Sequence, residues 1–168
     1  MLFHLRRGPV ALALAMTLAA PGAGALESRP MLDLALAQQM VQGCIDVQAQ
    51  EELPPLNFAI MDRGADLVLF LRQDDAMLGG GAIAVDKARS VVNIPLPTRV
   101  IGELSYGKDG GAPIVAGLQL ADVVAFAGGL PIRTSDGALL GGIGVSGGTP
   151  DEDEICAKAA LAAVAGAL

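Results

Sequence analysis

Histidine, cysteine and aromatic residues are scarce in this 168-residue chain. His4 is the only histidine, and the two cysteines, Cys44 and Cys156, show no C-x-x-C spacing. The absence of this spacing argues against a zinc site with C-x-x-C ligands and against a C-x-x-C redox pair. The two cysteines can form one disulfide or remain two separately buried thiols, and the sequence leaves both readings open.

The first 25 residues have the pattern of a secretory signal. A short basic start precedes an apolar stretch and the small-x-small ending Ala23-Gly24-Ala25. We therefore expect residues 1–25 to be removed, leaving a periplasmic or secreted chain of residues 26–168 without a membrane anchor. Because His4 leaves with the signal, the mature chain would have no imidazole. This excludes a serine–histidine triad, a histidine general base and histidine-ligated zinc.

Basic residues are also few. The chain has 11 lysines and arginines against 18 acidic residues, which gives a net charge of −7. Removal of residues 1–25, which hold two of the arginines and no acidic residue, would make the charge −9. So acidic a chain, without a basic cluster, lacks the electrostatic footprint of nucleic-acid binding and should avoid anionic membranes. We expect neither nucleic acid nor membrane among its partners.

Glycine, by contrast, is plentiful, and Gly142 to Gly147 match the G-x-G-x-x-G pattern of dinucleotide sites. That site needs a following helix and then a second strand, yet only 21 residues follow Gly147 and they have the pattern of one helix. The acidic residues from Asp151 to Glu154 would repel a phosphate at the start of that helix. We therefore expect no NAD site. The glycines either allow a helix or another subunit to pack closely on the strand, or line a small-ligand pocket.

Hydrophobic periodicity predicts one α+β domain. The predicted elements are a helix (31–50), a hairpin of two strands (56–62 and 66–72) and a helix after three glycines (within 79–94). A short helix (99–105), two or three strands within 121–148 and a final helix (150–168) follow. Glycine is expected to supply the positive φ of the first hairpin. Thr98 is expected to cap the short helix, and Thr149 with Glu152 to form a capping box on the last one. Hairpins imply an antiparallel sheet, and amphipathic helices imply that helices cover it.

Four segments carry a resemblance to a known family: AIMDRGADLVLFLR, AVDKARSVV, AGGLPI and DGALLGGIGVSGGTPDEDEICAKAAL. They resemble the GlcG/HbpS family of haem-binding-like domains, which is related to the C-terminal domain of PduO-type cobalamin adenosyltransferases. The resemblance extends over essentially all of residues 26–168. It implies a profilin-like domain that assembles into homo-oligomers, with haem as a candidate ligand. The histidine that ligates haem in the family has no counterpart in residues 26–168.

Lys87 is the polar residue that stands out, because it interrupts an apolar helical run. An exposed position is the default for lysine. The resemblance, however, places Lys87 toward the AGGLPI strand, where it can meet a carboxylate or carbonyl of a ligand. Met77 and Tyr106 are loop residues that can reach a ligand. The candidate ligand-binding residues are Lys87, Gly128, Gly129, Leu130, Pro131, Ser146 and Gly147.

The leading interpretation is an exported, homo-oligomeric binding protein for haem or a similar small hydrophobic cofactor or metabolite. No residue is assigned a catalytic or metal-ligating role. One alternative is an enzyme or accessory subunit that acts on small organic acids, with Lys87 as acid or base. Another is a structural assembly module whose glycine-rich strand makes the subunit contact.

Overall fold

The structure is a computed structural model and describes residues 29–114 and 123–168. The predicted signal segment 1–25, with His4, lies outside the described residues. The elements are, in chain order, α1 (Leu34–Gln48), β1 (Asn57–Asp62), β2 (Leu67–Arg72), α2 (Gly80–Asn93), α3 (Thr98–Tyr106), β3 (Gly129–Arg133), β4 (Leu139–Ser146) and α4 (Pro150–Ala163). The predicted order of elements and the α+β class are confirmed.

The four strands form one antiparallel sheet in the order β2-β1-β4-β3. Asn57 of β1 pairs with Arg72 of β2 on one side and with Ser146 of β4 on the other. The central strands are therefore β1 and β4, which are far apart in sequence, and β2 and β3 are the edges. No helix in the described ranges is long and apolar enough to cross a membrane.

Helices cover both faces of the sheet. Phe58 and Ile60 of β1 point into the larger core, which they share with α1 and α4. Ala59 and Met61 alternate with them and point to the opposite face, where they pack against α2. Helix α3 lies on the α2 side and contacts β3. The strand alternation thus places larger side chains under α1 and α4 and allows α2 to lie close to the sheet.

The glycines of β4 provide the room that α2 needs. A Cβ at Gly142 would lie 2.5 Å from Val91 Cγ2, and a Cβ at Gly144 would overlap the carbonyl oxygen of Ala84. The dinucleotide-like glycines therefore stand in mid-strand beneath a helix, and the prediction that they allow close helix packing is confirmed. The alternative in which this strand makes the subunit contact is wrong, because β1, β3 and α2 of the same chain already cover it.

A disulfide joins the first helix to the last. Cys44 of α1 and Cys156 of α4 are both fully buried, with their Cα atoms 4.8 Å apart. The bridge closes a loop with a sequence separation of 112 residues and lies in the core between the helices and the sheet.

The turn of the first hairpin differs from the prediction. Ala65, not Gly64, has the positive φ, at 63°. The Asp62 carboxylate accepts hydrogen bonds from the backbone N–H of Gly64 at 2.8 Å and of Asp66 at 3.1 Å. This side-chain closure of the turn stabilises the left-handed residue, so glycine is not required there.

Two predictions around α3 and β3 are also corrected. Thr98 does not cap α3; it is the first helical residue, and its buried Oγ1 accepts a hydrogen bond from the N–H of Gly129 at 2.9 Å. The strand predicted to begin at residue 121 is not present in its described part, 123–128. There the N–H of Val124 donates to Ser90 Oγ at 2.7 Å instead of joining the sheet.

The helix ends follow the predicted signals more closely. The capping box of Thr149 and Glu152 is present, with Pro150 in the first turn of α4, as predicted. Helix α2, however, begins at Gly80, so that two of the three glycines lie inside it. A Cβ at Gly80 would lie 2.5 Å from Asn57 Nδ2, which explains why glycine stands inside this helix.

Candidate functional site

A buried ion pair joins α2 to α4. Lys87 Nζ lies 2.6 Å from Asp153 Oδ2 and donates a second hydrogen bond to the carbonyl oxygen of Val145 at 2.8 Å. The side chains of Lys87 and Asp153 are 0% and 2% exposed. The expectation of an exposed Lys87 is therefore wrong, because its stem lies inside the protein and its charge meets an internal carboxylate. Asp153, predicted only as an acidic residue at a helix start, neutralises this lysine.

The segment before β3 closes over the Lys87 amine. Gly128 has a φ of 115°, and a Cβ there would lie 2.5 Å from Lys87 Nζ and 2.7 Å from Asp153 Cβ. The centroid of the Phe126 ring lies 4.7 Å from the same nitrogen, within the range of a cation–π contact. Two hydrogen bonds and one aromatic face therefore satisfy the ammonium group from within the chain itself.

Burial acts on the pKa of both partners. It lowers the pKa of Lys87, while the hydrogen bond and charge of Asp153 raise it. It raises the pKa of Asp153, while the hydrogen bond and charge of Lys87 and the N–H of Gly148 lower it. Each group therefore depends on the other to remain charged. In this arrangement the Lys87 amine is fully buried and both of its hydrogen bonds go to the protein, which disfavours its predicted alternative role as acid or base.

Three other predicted ligand-binding residues lie in β3 and pack against the protein. Gly129 faces Thr98, whose Cγ2 would lie 2.6 Å from a Cβ at this position. Leu130 points to the opposite face and belongs to the larger core. Pro131 is partly exposed on the edge strand. The structure therefore brings Gly128 to Lys87 but directs Leu130 away from it.

Ser146 and Gly147, predicted as ligand-binding residues at the end of β4, pack against the protein. Ser146 is 2% exposed, and its carbonyl oxygen accepts a hydrogen bond from Asn57 Nδ2 at 3.1 Å. Gly147 has a φ of 150°, and a Cβ there would lie 2.7 Å from the carbonyl oxygen of Pro55. Met77 and Tyr106, both predicted as loop residues, are 45% and 75% exposed. Met77 precedes α2, but the loop prediction for Tyr106 is wrong, because it is the last residue of α3.

An open groove of about 520 Å³ lies between β2 and α2, and we call it the α2–β2 groove. Its apolar lining comes from Phe70 on the edge strand, from Leu78 just before α2, and from Gly81, Ala82 and Val85 in the first half of α2. Phe70 and Leu78 are 44% and 82% exposed, so a large apolar surface faces the opening. Gly81 brings the helix onto the ring, since a Cβ there would lie 3.1 Å from Phe70 Cζ.

The polar lining of the α2–β2 groove consists of Arg72, Asp86 and Arg89. Arg89 Nη1 lies 2.8 Å from Asp86 Oδ1, in a pair whose side chains are 32% and 35% exposed. The guanidinium of Arg72 makes no hydrogen bond or ion pair within residues 29–114 and 123–168. Two arginines and one aspartate give the groove a net charge of +1 on a strongly acidic chain.

Sequence reasoning did not select Phe70 or Arg72. Both lie on one face of β2 by strand alternation, and that alternation is visible in the sequence. Their exposure depends on β2 being an edge strand, which is decided by the pairing of β1 with β4. The sequence does carry one signal for the burial of Lys87, because it stands at helical spacing from Ala84, Ala88 and Val91, all of which are buried.

Comparison with known proteins gives a consistent match. A family model described as "Haem degrading protein HbpS-like" matches residues 32–162. A Citrobacter freundii protein, described as an uncharacterized 15.0 kDa protein of the dhaT-dhaS intergenic region, is 34% identical over 133 residues, covering 77% of this chain and 89% of its own length.

Two solved structures have the same fold over most of their length. The Klebsiella pneumoniae protein ORFY is 30% identical with a TM-score of 0.72, covering 86% of this chain and 97% of that one. The haem complex of PduOC is 28% identical with a TM-score of 0.69, covering 80% of this chain and 95% of that one. With the family match over residues 32–162, these likenesses show that the chain belongs to the HbpS-like family.

Proposed function

We propose that this protein binds haem or a related flat tetrapyrrole in the α2–β2 groove. The observation that carries the proposal is the groove itself, which combines an exposed aromatic ring, an apolar helix face and two arginines. Its volume of about 520 Å³ falls within the roughly 300–1,000 Å³ typical of small-molecule sites. The family match and the haem complex of PduOC support the ligand class.

The groove lining fits the porphyrin ring and the carboxylates of haem better than it fits the iron. Phe70, Leu78 and Val85 offer apolar surface to the ring plane, and Arg72 and Arg89 offer cations to its acid groups. Among residues 29–114 and 123–168, the groove lining has no histidine, cysteine, methionine, tyrosine or lysine for the axial position of iron. The lining therefore fits the porphyrin ring and its carboxylates, and does not fit axial ligation of the metal.

The proposal does not use Lys87 as the ligand contact. Its amine is fully buried and is already bound by Asp153, the carbonyl oxygen of Val145 and the ring of Phe126. The predicted position of the ligand near Lys87 and the β3 glycines is therefore replaced in our proposal by the α2–β2 groove.

We also propose that the protein is exported and homo-oligomeric. The edge strand β2 supports the second part, since Leu67 and Phe70 are 52% and 44% exposed on a strand with one unpaired edge among the described elements. Exposed apolar edge strands readily pair with another chain. Native mass spectrometry of the protein from separated periplasmic and cytoplasmic fractions of its own cells tests export and subunit number together. A cytoplasmic monomer would contradict both.

Titration with haemin tests the binding proposal directly. We expect saturable binding with a shift of the Soret band, and weakening by about tenfold or more in Phe70→Ala, because a truncated aromatic anchor loses its contact area. Tyr106→Ala is the matched control, since it removes an exposed aromatic side chain that does not line the groove. Absence of saturable binding by the wild-type protein would refute the proposal.

A further inference from the structure

The two arginines of the α2–β2 groove stand at different points along it. Arg72 pairs in register with Asn57, and Asn57 lies under the first turn of α2, close to Gly80 and Gly81. Arg89 is eight residues further along the same helix than Gly81, which corresponds to about 12 Å of helix axis. The apolar ring of Phe70 lies by Gly81, in the lining that the two arginines share.

Both guanidinium groups are available to a ligand anion. Arg72 has no partner among the described residues. Arg89 pairs with Asp86 and with no other described residue, and this partly exposed pair is of the kind that contributes little net stability. Carboxylates accept two parallel hydrogen bonds from a guanidinium, and such charge-assisted pairs are among the stronger ones in proteins.

Within the part of the chain that the structure describes, the side chains that could ligate iron do not line the groove. Both cysteines are joined in the disulfide within the core. Lys87 is bound to Asp153. Met77 immediately precedes Leu78 in the chain, but Leu78 lines the groove and Met77 does not. His4, the one histidine of the sequence, lies outside the described residues.

We infer that the groove recognises the carboxylates and the apolar ring of a tetrapyrrole, and is indifferent to the metal at the ring's centre. The inference rests on the proposed function and makes it narrower: the ligand class is a flat apolar ring with free acid groups, with or without iron. Metal-free protoporphyrin IX should bind as tightly as haemin.

Three probes separate the contributions: haemin, metal-free protoporphyrin IX and haemin dimethyl ester, whose acid groups are blocked. Binding to the purified full chain is followed by absorbance, and by fluorescence for the metal-free ring. We expect the first two Kd values to agree within about threefold. We expect the ester to bind about tenfold more weakly or worse, as loss of a charge-assisted hydrogen bond predicts.

Variants assign these effects to residues. Arg72→Gln should weaken the binding of haemin and of protoporphyrin IX about tenfold and leave the Kd of the dimethyl ester unchanged. Arg63→Gln removes the same charge from the exposed hairpin turn and should change none of the three Kd values. Met77→Leu should leave haemin binding unchanged. Thermal unfolding of each variant checks that it is folded.

The outcomes are distinguishable. If haemin binds and protoporphyrin IX does not, or if Met77→Leu weakens haemin alone, metal ligation is required and the inference is wrong while haem binding stands. If the ester binds as well as haemin, recognition of the carboxylates is wrong. If none of the three probes binds the wild-type protein, the proposed function itself fails, and the inference with it.

Discussion

Replacing Lys87 by methionine would leave the Asp153 carboxylate 2% exposed and without its cation. Breaking a buried pair from one side typically costs about 3–5 kcal/mol, because the remaining charge is desolvated and uncompensated. Domains of this size have a free energy of unfolding of roughly 5–15 kcal/mol, so Lys87→Met should remove a large part of it. Asp153→Asn should cost a similar amount, because it leaves the Lys87 ammonium unpaired.

The two variants should respond to pH with opposite slopes. In Asp153→Asn, burial still lowers the pKa of Lys87 and the opposing carboxylate is gone. The unfolded chain then binds more protons than the folded one, so stability rises as pH rises toward the ordinary lysine pKa. In Lys87→Met, burial raises the pKa of Asp153 without an opposing cation. The folded chain then binds more protons, so stability falls as pH rises above the ordinary aspartate pKa.

Urea unfolding followed by circular dichroism, under non-reducing conditions at several pH values, measures both effects. Lys158→Met is the matched control, because Lys158 is 66% exposed and its partner Glu154, at 3.0 Å and only 9% exposed, keeps its hydrogen bond from Arg99. It should change stability by no more than about 0.5 kcal/mol. The double variant Lys87→Met/Asp153→Asn should lose at least about 2 kcal/mol less of the free energy of unfolding than the sum of the losses in the two single variants. Equal effects of Lys87→Met and the control, or pH slopes of the same sign, would refute the reasoning.

Three further predictions concern packing, the disulfide and acid stability. Gly144→Ala should cost about 3 kcal/mol or prevent folding, because its Cβ meets the backbone of α2, while Gly79→Ala, with nothing within 4 Å, should be nearly neutral in urea unfolding. The unfolded, unreduced protein should show no free thiol on titration, and Cys44→Ala/Cys156→Ala should lower stability by about 2–5 kcal/mol; two titratable thiols would contradict the bridge. Burial raises the pKa of Glu154, but the hydrogen bonds and charges of Lys158 and Arg99 outweigh burial, and the pKa is lowered overall. The ionised Glu154 therefore stabilises the fold above the ordinary glutamate pKa, and this contribution is lost as the pH falls through the lowered pKa. Glu154→Gln should therefore flatten the acid unfolding profile below about pH 4.5, and an unchanged profile would show that the ion pairs contribute nothing.

The local elements were predictable because their signals are short-range. The capping box of Thr149 and Glu152 is complete within four residues, and the amphipathic pattern of α1 needs no distant partner. Predictions of helix caps were wrong where a side chain could hydrogen-bond either to its own helix or to a distant segment. Thr98 had the chemistry of a helix cap, yet its hydroxyl bonds to Gly129, 31 residues away.

The candidate site was less accessible to sequence reasoning. The predicted residues Gly128 and Lys87 do lie next to each other. The ion partner of Lys87, however, is Asp153, which is 66 residues away in the chain and was not predicted to contact it. The alternating pattern of β2 shows that Phe70 and Arg72 lie on the same face of the strand. It does not show which face of the strand is exposed to solvent. The groove exists because β2 is at the edge of the sheet and Gly81 brings α2 against Phe70.

The sequence by itself determined the element order, the capping box of α4, the glycine-rich strand and the family, since each depends on neighbouring residues or on a continuous motif. Only the tertiary structure decided that Lys87 is buried and paired and that the open groove lies beside Phe70 and Arg72. The physical reason is that burial and charge pairing depend on which distant segments share a face of the sheet, and the strand order β2-β1-β4-β3 sets this.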